Sequence, residues 1–221
     1  MRRVVPLLVG ALSLMMAPMA QAQVRFGAYG GLVRSGFSGD APKDTEYRHR
    51  TGPVIGALFE IPVAENVRIS VQPSWLKRGT KIAVNVQGED ERQDSLSLGL
   101  SYVSVPILMK IETAGGRIFV STGAEAGVLL DATLSPVQGG GEGEDVGRLF
   151  RDLDLAVDFG VGGQFPIGLP TLTAEVRYTQ SLTDISQVEV DVGAEERVPA
   201  RVRSSGFAIL AGIWIPLGGG D

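Results

Sequence analysis

Cysteine is absent from this chain of 221 residues, and histidine occurs only once. The lack of cysteine excludes disulfides, thiolate metal sites and cysteine nucleophiles. The chain has no basic stripe and its formal net charge is −5, which argues against nucleic-acid binding. After residue 22, no uncharged apolar run approaches ~20 residues, so the sequence predicts no membrane helix.

The N-terminus predicts an export signal. Arg2 and Arg3 precede an apolar stretch, and Ala20 and Ala22 place small residues where a signal peptidase reads them. We expect cleavage after residue 22, which leaves residues 23–221 as one domain. An uncleaved N-terminal membrane anchor is the alternative.

Alternation of apolar and polar residues indicates β-strands in nearly all the rest of the chain. In residues 67–75 the odd positions are apolar and the even positions polar, without exception. The same period of two supports eight predicted strands: 24–33, 53–63, 67–75, 96–111, 117–130, 152–165, 171–181 and 206–217. The 30 glycines fit turns and closely packed strands better than helices.

The connections between these strands alternate between long and short. The long ones are 34–52, 79–95, 131–152 and 182–205, and the short ones are 64–66, 112–116 and 166–170. Long loops at one end and short turns at the other are typical of transmembrane barrels. We therefore predict an all-β fold, an eight-stranded antiparallel up-and-down transmembrane β-barrel with both termini in the periplasm. The alternative is a soluble barrel or sandwich, whose charged face would meet water.

The polar face of the predicted strands indicates a lumen filled by charges of both signs. These charges are Arg25, Glu60, Arg68, Lys110, Glu125, Asp158, Glu175 and Arg177. Glycine and serine share the face and leave space in the narrow interior of an eight-stranded barrel. We expect the charges to pair across the lumen and plug it; a proton or ion path is the alternative. Aromatic residues near strand ends predict interfacial girdles: Trp75, Phe165, Tyr178 and Trp214.

The stretch SYVSVPILMK, residues 101–110, tests this interpretation. Its odd positions from 103 onward are predicted to face lipid, and Ser104, Pro106, Leu108 and Lys110 the lumen. Lys110 lies near a short turn, where Glu60 or Glu112 can pair with it. Because proline has no N–H, Pro106 predicts a lost ladder bond or a bulge.

Five stretches occur in a familiar order: GALFEIPVAENVRISVQPSWLKRG (56–79), SYVSVPILMKI (101–111), VSTGAEAGVLLDA (120–132), DFGVGGQF (158–165) and EVRYTQSLTDI (175–185). Together they resemble the bacterial outer-membrane β-barrel domain family that includes the PorT-like proteins. The resemblance covers roughly residues 23–217. It implies an eight-stranded barrel in the outer membrane of a Gram-negative-type bacterium. Ser74 stands where an acidic residue is common in that family.

Catalytic and metal-binding signals are weak. His49 lies between Arg48 and Arg50 with no nucleophile beside it in sequence. The acidic loop tips lack the spacing of a dedicated Ca²⁺ loop: Glu89, Asp90, Glu91, Glu142, Glu144 and Asp145. We expect no catalytic residue, cofactor or metal.

The sequence therefore favours a small non-enzymatic barrel that acts structurally or through its long external loops. A narrow, porin-like pore for ions or small solutes and a lipid-modifying membrane enzyme are the alternatives. The expected partners are outer-membrane lipids, the barrel-assembly machinery during insertion, and a protein or surface at the external loops. We expect a monomer.

Overall fold

The computed structural model describes residues 23–39, 45–84, 93–137, 143–186, 189–191, 197–199 and 201–217, so the predicted signal segment lies outside the described residues. The strands are β1 (Val24–Gly39), β2 (Thr45–Ala64), β3 (Val67–Val71), β4 (Ser74–Val84), β5 (Gln93–Glu112), β6 (Ile118–Pro136), β7 (Glu144–Asp145), β8 (Leu153–Pro166), β9 (Thr171–Ser181), β10 (Glu189–Asp191), β11 (Arg197–Pro199) and β12 (Val202–Leu217). One 3₁₀ turn spans Gly147–Leu149. None of the helical structure in these ranges is long and apolar enough to cross a membrane.

The main sheet closes on itself. β1 pairs with β2 on one side and with β12 on the other, and the ring continues through β3–β4, β5, β6, β8 and β9, every pair antiparallel. β3 and β4 are two parts of one barrel strand, because both pair with β5 in one continuous register. The predicted eight-stranded antiparallel barrel is confirmed. Val24 pairs with Leu217, so the first and last barrel strands begin and end together; their periplasmic placement stays a prediction.

The barrel strand formed by β3 and β4 is interrupted at Gln72–Pro73, opposite Pro106. The amide of Gln72 donates to the carbonyl of Pro106 at 3.0 Å, and Pro106 has no N–H with which to return a bond. The carbonyl of Gln72 instead accepts the hydroxyl of Tyr29 at 3.2 Å. The carbonyl of Pro73 likewise accepts a hydrogen bond from the amide of Ala57 at 2.9 Å, and Pro73 has no N–H to donate to β2. The predicted defect at Pro106 is confirmed as a lost ladder bond, without a register shift.

Outward-facing side chains form an apolar belt around the short-turn end of the barrel. On β5, Val103 and Ile107 are exposed while Ser104 and Lys110 are buried, as predicted from their positions. Each barrel strand exposes at least one large apolar side chain in this region: Phe26, Phe59, Trp75, Ile107, Val120, Phe159, Val176 and Ile209. Apolar outside and polar inside is the arrangement of a barrel in lipid.

The character of the interior changes halfway along β5. Even positions from Leu98 to Glu112 are buried. Leu98, Leu100 and Tyr102 are apolar or aromatic, whereas Ser104, Lys110 and Glu112 are polar, with the apolar Leu108 among them. We call the part of the barrel at the level of Val103–Glu112 the belt section, and the part at the level of Gln93–Tyr102 the cap section. Crossing a bilayer takes about 9–11 strand residues, so the 20 residues of β5 extend well beyond the belt.

Several predicted connections are largely strand, which corrects their length. β1 continues to Gly39 and β2 begins at Thr45, although 34–52 was expected to be a loop. β6 likewise reaches Pro136 and β12 begins at Val202. Backbone pairing continues because the buried apolar cluster of the interior extends into the cap section, where Leu98, Leu100 and Val202 support the strands beyond the belt.

The barrel lumen as candidate functional site

Polar side chains fill the belt section in three successive tiers, and the first lies at the short-turn end. Arg25 Nη1 lies 3.2 Å from Glu60 and 2.5 Å from Glu112. Lys110 Nζ donates to Glu60 at 2.8 Å, and Arg68 Nε lies 3.3 Å from Glu112. The structure thus brings four of the predicted lumen charges together around Glu112, the second carboxylate expected for Lys110.

Two aromatic rings complete this first tier. The guanidinium of Arg25 lies 4.1 Å from the ring centre of Trp214, and Lys110 Nζ lies 4.0 Å from that of Phe119. Trp214 is only 8% exposed, so its predicted place in an interfacial girdle is wrong. The indole fits inside because the neighbouring strand has Gly27, where a Cβ would lie 2.8 Å from the Trp214 Cβ.

The middle tier contains the predicted charges Glu175 and Arg177. Arg177 Nη2 donates to Glu175 at 2.8 Å and to the side-chain carbonyl of Gln72 at 2.7 Å. The hydroxyl of Ser121 donates to Glu175 at 2.8 Å. These contacts join β6, β9 and the interruption between β3 and β4.

The third tier is built around Arg78, which sequence reasoning missed. The backbone of Arg78 pairs with Leu100 at the edge of the cap section, and its side chain reaches carboxylates of the belt section. Its guanidinium forms ion pairs with Glu125 and, at 3.4 Å, with Asp154. Ser181 also donates to Asp154 at 2.8 Å. Because the predicted strand ended at Trp75, Arg78 was not assigned to the lumen-facing residues. The even positions of that strand were predicted to face the lumen, and continuing the alternation to residue 78 would have included Arg78.

Asp158 lies in this tier but differs from the expected pairing. It is fully buried, and Thr179 donates to its Oδ1 at 2.5 Å. Its Oδ2 has no hydrogen-bond partner among the described residues. Nearby, Ser74 and Ser104 share a hydrogen bond at 3.1 Å, so a neutral pair occupies the position where the family resemblance implied an acid.

Among the described residues, two small cavities lie in the belt section. One is lined by Glu60, Lys110 and other residues of the first two tiers, and the second by Arg78 and its neighbours. Tyr29 and Leu210 line both cavities and stand between them.

The cap section closes the lumen with apolar side chains. Leu100, Phe150, Ile185 and Val202 are buried in its core. The amide of Ile185 donates to the carbonyl of Val202 at 2.8 Å, and the amide of Arg151 donates to the carbonyl of Ile185 at 2.9 Å. A segment predicted to be part of an external connection therefore folds into the mouth of the barrel.

The described residues contain no group of three His, Asp or Glu side chains arranged to hold a metal ion. Within the same ranges His49 is exposed and makes no hydrogen bond or ion pair. Of the acidic loop tips, Glu144 and Asp145 are exposed, while residues 89–91 and 142 lie outside the described ranges.

Comparison with known proteins agrees with this architecture. The family model described as "Outer membrane protein beta-barrel domain" matches residues 19–187. A search of curated proteins finds no match. The outer membrane protein OprG from Pseudomonas aeruginosa is similar in structure with a TM-score of 0.52 at 10% identity, covering 90% of this chain and 98% of OprG.

Two further solved structures are more distant. Neisserial surface protein A has a TM-score of 0.48 at 14% identity, with 87% of this chain and 97% of that chain covered. The attachment invasion locus protein Ail of Yersinia pestis, in complex with the heparin analogue sucrose octasulfate, has a TM-score of 0.43 at 15% identity, with 87% and 99% covered. At these identities the likeness concerns the fold alone.

Proposed function

Because this chain belongs to the outer membrane protein β-barrel domain family, we propose that it is a closed barrel with a structural or interaction role. Its location is the outer membrane of a Gram-negative-type bacterium. The predicted family and outer-membrane location are confirmed, whereas the PorT-like subgroup stays a prediction.

The observation that supports closure is that two different fillings occupy the lumen in series. Ion-paired tiers fill the belt section, and an apolar core fills the cap section. An ion crossing the barrel would have to separate buried ion pairs, which leaves their charges desolvated and uncompensated. It would then have to pass the buried apolar side chains of the cap section, among them Leu98, Leu100 and Tyr102, which give little compensation for the lost hydration of the ion.

The cap section supports an interaction role. Its strands carry polar outward residues such as Ser97 and Ser101 on β5 and Asp131 on β6, and they stand clear of the apolar belt. A rigid wall of this kind presents a fixed surface to a protein or another cell surface. His49 is exposed and isolated within the described residues, so it supports no hydrolytic triad. The proposed barrel is therefore non-enzymatic.

Conductance in planar lipid bilayers tests closure. The folded wild-type protein, verified by heat-modifiable migration on a gel, should pass no current at any voltage, with a general porin as the positive control for insertion. The folded Arg177→Ala variant should also pass no current, because the first tier, the third tier and the apolar residues of the cap section still fill the lumen. Reproducible single-channel steps from the wild-type protein would contradict closure and establish the pore instead.

A further inference from the structure

A row of polar side chains lies on the outer wall of the barrel at the boundary between belt and cap sections. Arg34 on β1 pairs directly with Thr51 on β2. Lys77 on β4, the next strand around the ring, lies beside Gly52, within the irregular stretch of the β2–β4 pairing between His49 and Val54. All three are exposed. Neither cation forms an ion pair with another described residue. Neighbouring strands are about 4.8 Å apart, so the backbones that carry Arg34 and Lys77 lie about 10 Å apart, with β2 and Thr51 between them.

Directly beneath this row, the same three strands carry the last apolar residues of the belt. Leu32 precedes Arg34 on β1 and is 59% exposed, and Ile55 on β2 is 63% exposed. Trp75 precedes Lys77 on β4, with the Lys77 Nζ 5.6 Å from its ring centre. Indole rings favour the interface between acyl chains and headgroups, which places the row at headgroup level.

We propose that Arg34, Thr51 and Lys77 bind the phosphate group of a lipid headgroup in the leaflet adjoining the cap section. The two cations neutralise the phosphate charge, and the hydroxyl between them donates a hydrogen bond to a phosphate oxygen. The acyl chains of the same lipid lie against Leu32 and Ile55. One lipid would therefore neutralise the exposed cations with its phosphate and cover the exposed apolar side chains with its acyl chains.

The row is confined to one flank of the barrel. Lys77 pairs with Ser101 on β5, and Ser101 pairs with Asp131 on β6, which is exposed. The sign of the charge therefore reverses within two strands. This confinement predicts a localised lipid site rather than a uniform cationic ring around the barrel.

Lipid selectivity measured by electron spin resonance tests the site. The full chain would be reconstituted in phosphatidylcholine vesicles with trace spin-labelled phosphatidic acid or spin-labelled phosphatidylcholine. The motionally restricted fraction of each gives their relative association constant. A cation at a membrane surface contributes roughly a fivefold preference for an anionic lipid. The wild-type protein should therefore prefer phosphatidic acid at least fivefold, and Arg34→Gln/Lys77→Gln should reduce the ratio to about 1.

The matched control is Arg148→Gln/Arg151→Gln, which removes two exposed cations elsewhere at the same end of the barrel. It should keep the wild-type preference. The proposal is overturned if the Arg34/Lys77 variant retains its selectivity, or if the control loses it to the same extent. Both variants would first be shown to fold by heat-modifiable migration, and neither outcome depends on whether the lumen conducts.

Discussion

The third tier of the lumen gives the sharpest prediction about stability. Arg78 is the cation that faces both Glu125 and Asp154, and these three side chains are 7%, 6% and 2% exposed. Arg78→Ala deletes this cation and leaves two buried carboxylates without it. The truncated side chain also leaves unfilled volume in a narrow interior.

The expected loss follows from this burial. Removing one partner of a buried ion pair typically costs about 3–5 kcal/mol, because the remaining charge stays desolvated. We expect Arg78→Ala to lower the free energy of unfolding by about 4 kcal/mol. Adding Glu125→Gln should recover part of the loss, since it removes one of the two uncompensated charges.

Urea unfolding of the protein in lipid vesicles, followed by tryptophan fluorescence, measures this difference. Arg203→Ala is the matched control, because Arg203 pairs with Asp184 at 3.2 Å where the two side chains are 51% and 29% exposed. Exposed pairs contribute about 0–1 kcal/mol, so the control should unfold almost as the wild type does. A loss below 1 kcal/mol for Arg78→Ala would refute the reasoning, as would equal losses for the two variants.

Two further substitutions test details of the barrel wall. Tyr29→Phe keeps the ring but leaves the buried carbonyl of Gln72 without its hydroxyl donor, so it should cost about 1–2 kcal/mol in the same unfolding assay; an unchanged stability would show that the bond contributes nothing. Gly123→Ala would place a Cβ 2.0 Å from the backbone oxygen of Ile107, whereas at Gly127 on the same strand the nearest atom is 3.4 Å away. Gly123→Ala should therefore destabilise by about 1–3 kcal/mol and Gly127→Ala by much less, and the reverse order would contradict the close strand approach.

Much of the belt section could be predicted from the sequence, because two independent signals agree there. Alternation identifies the strands, and charges at every second position mark one face. Lys110 shows the strength of this combination: its position near a short turn predicted Glu60 or Glu112 as partners, and the structure has Nζ at 2.8 Å from Glu60 and 3.9 Å from Glu112.

The errors arise where one signal is missing. Trp214 was assigned to the lipid interface by residue type, although position alone decides which way a strand residue faces. Arg78 and Lys77 are adjacent cations beyond the predicted end of their strand. Continuing the alternation along the full length of β4 places Arg78 in the lumen and Lys77 outside, as the structure has them. Asp158 was expected to pair, but Arg78 forms its ion pairs with Glu125 and Asp154 and Arg177 with Glu175.

The change of interior along β5 explains why the cap section was the hardest part to predict. Alternation has the same period whether the apolar set faces inward or outward, so it identifies a strand without saying which solvent surrounds it. Residues SLSLGLSY place the apolar set on even positions, and VSVPILMKI place it on odd positions. A single strand reverses its apolar face only when its surroundings reverse, from lipid outside a polar lumen to water outside an apolar core. The reversal at Tyr102–Val103 therefore marks the membrane boundary on this strand. Tyr102 pairs with Leu76, and the next pair along the strands is Lys77 with Ser101, so Lys77 lies at this boundary.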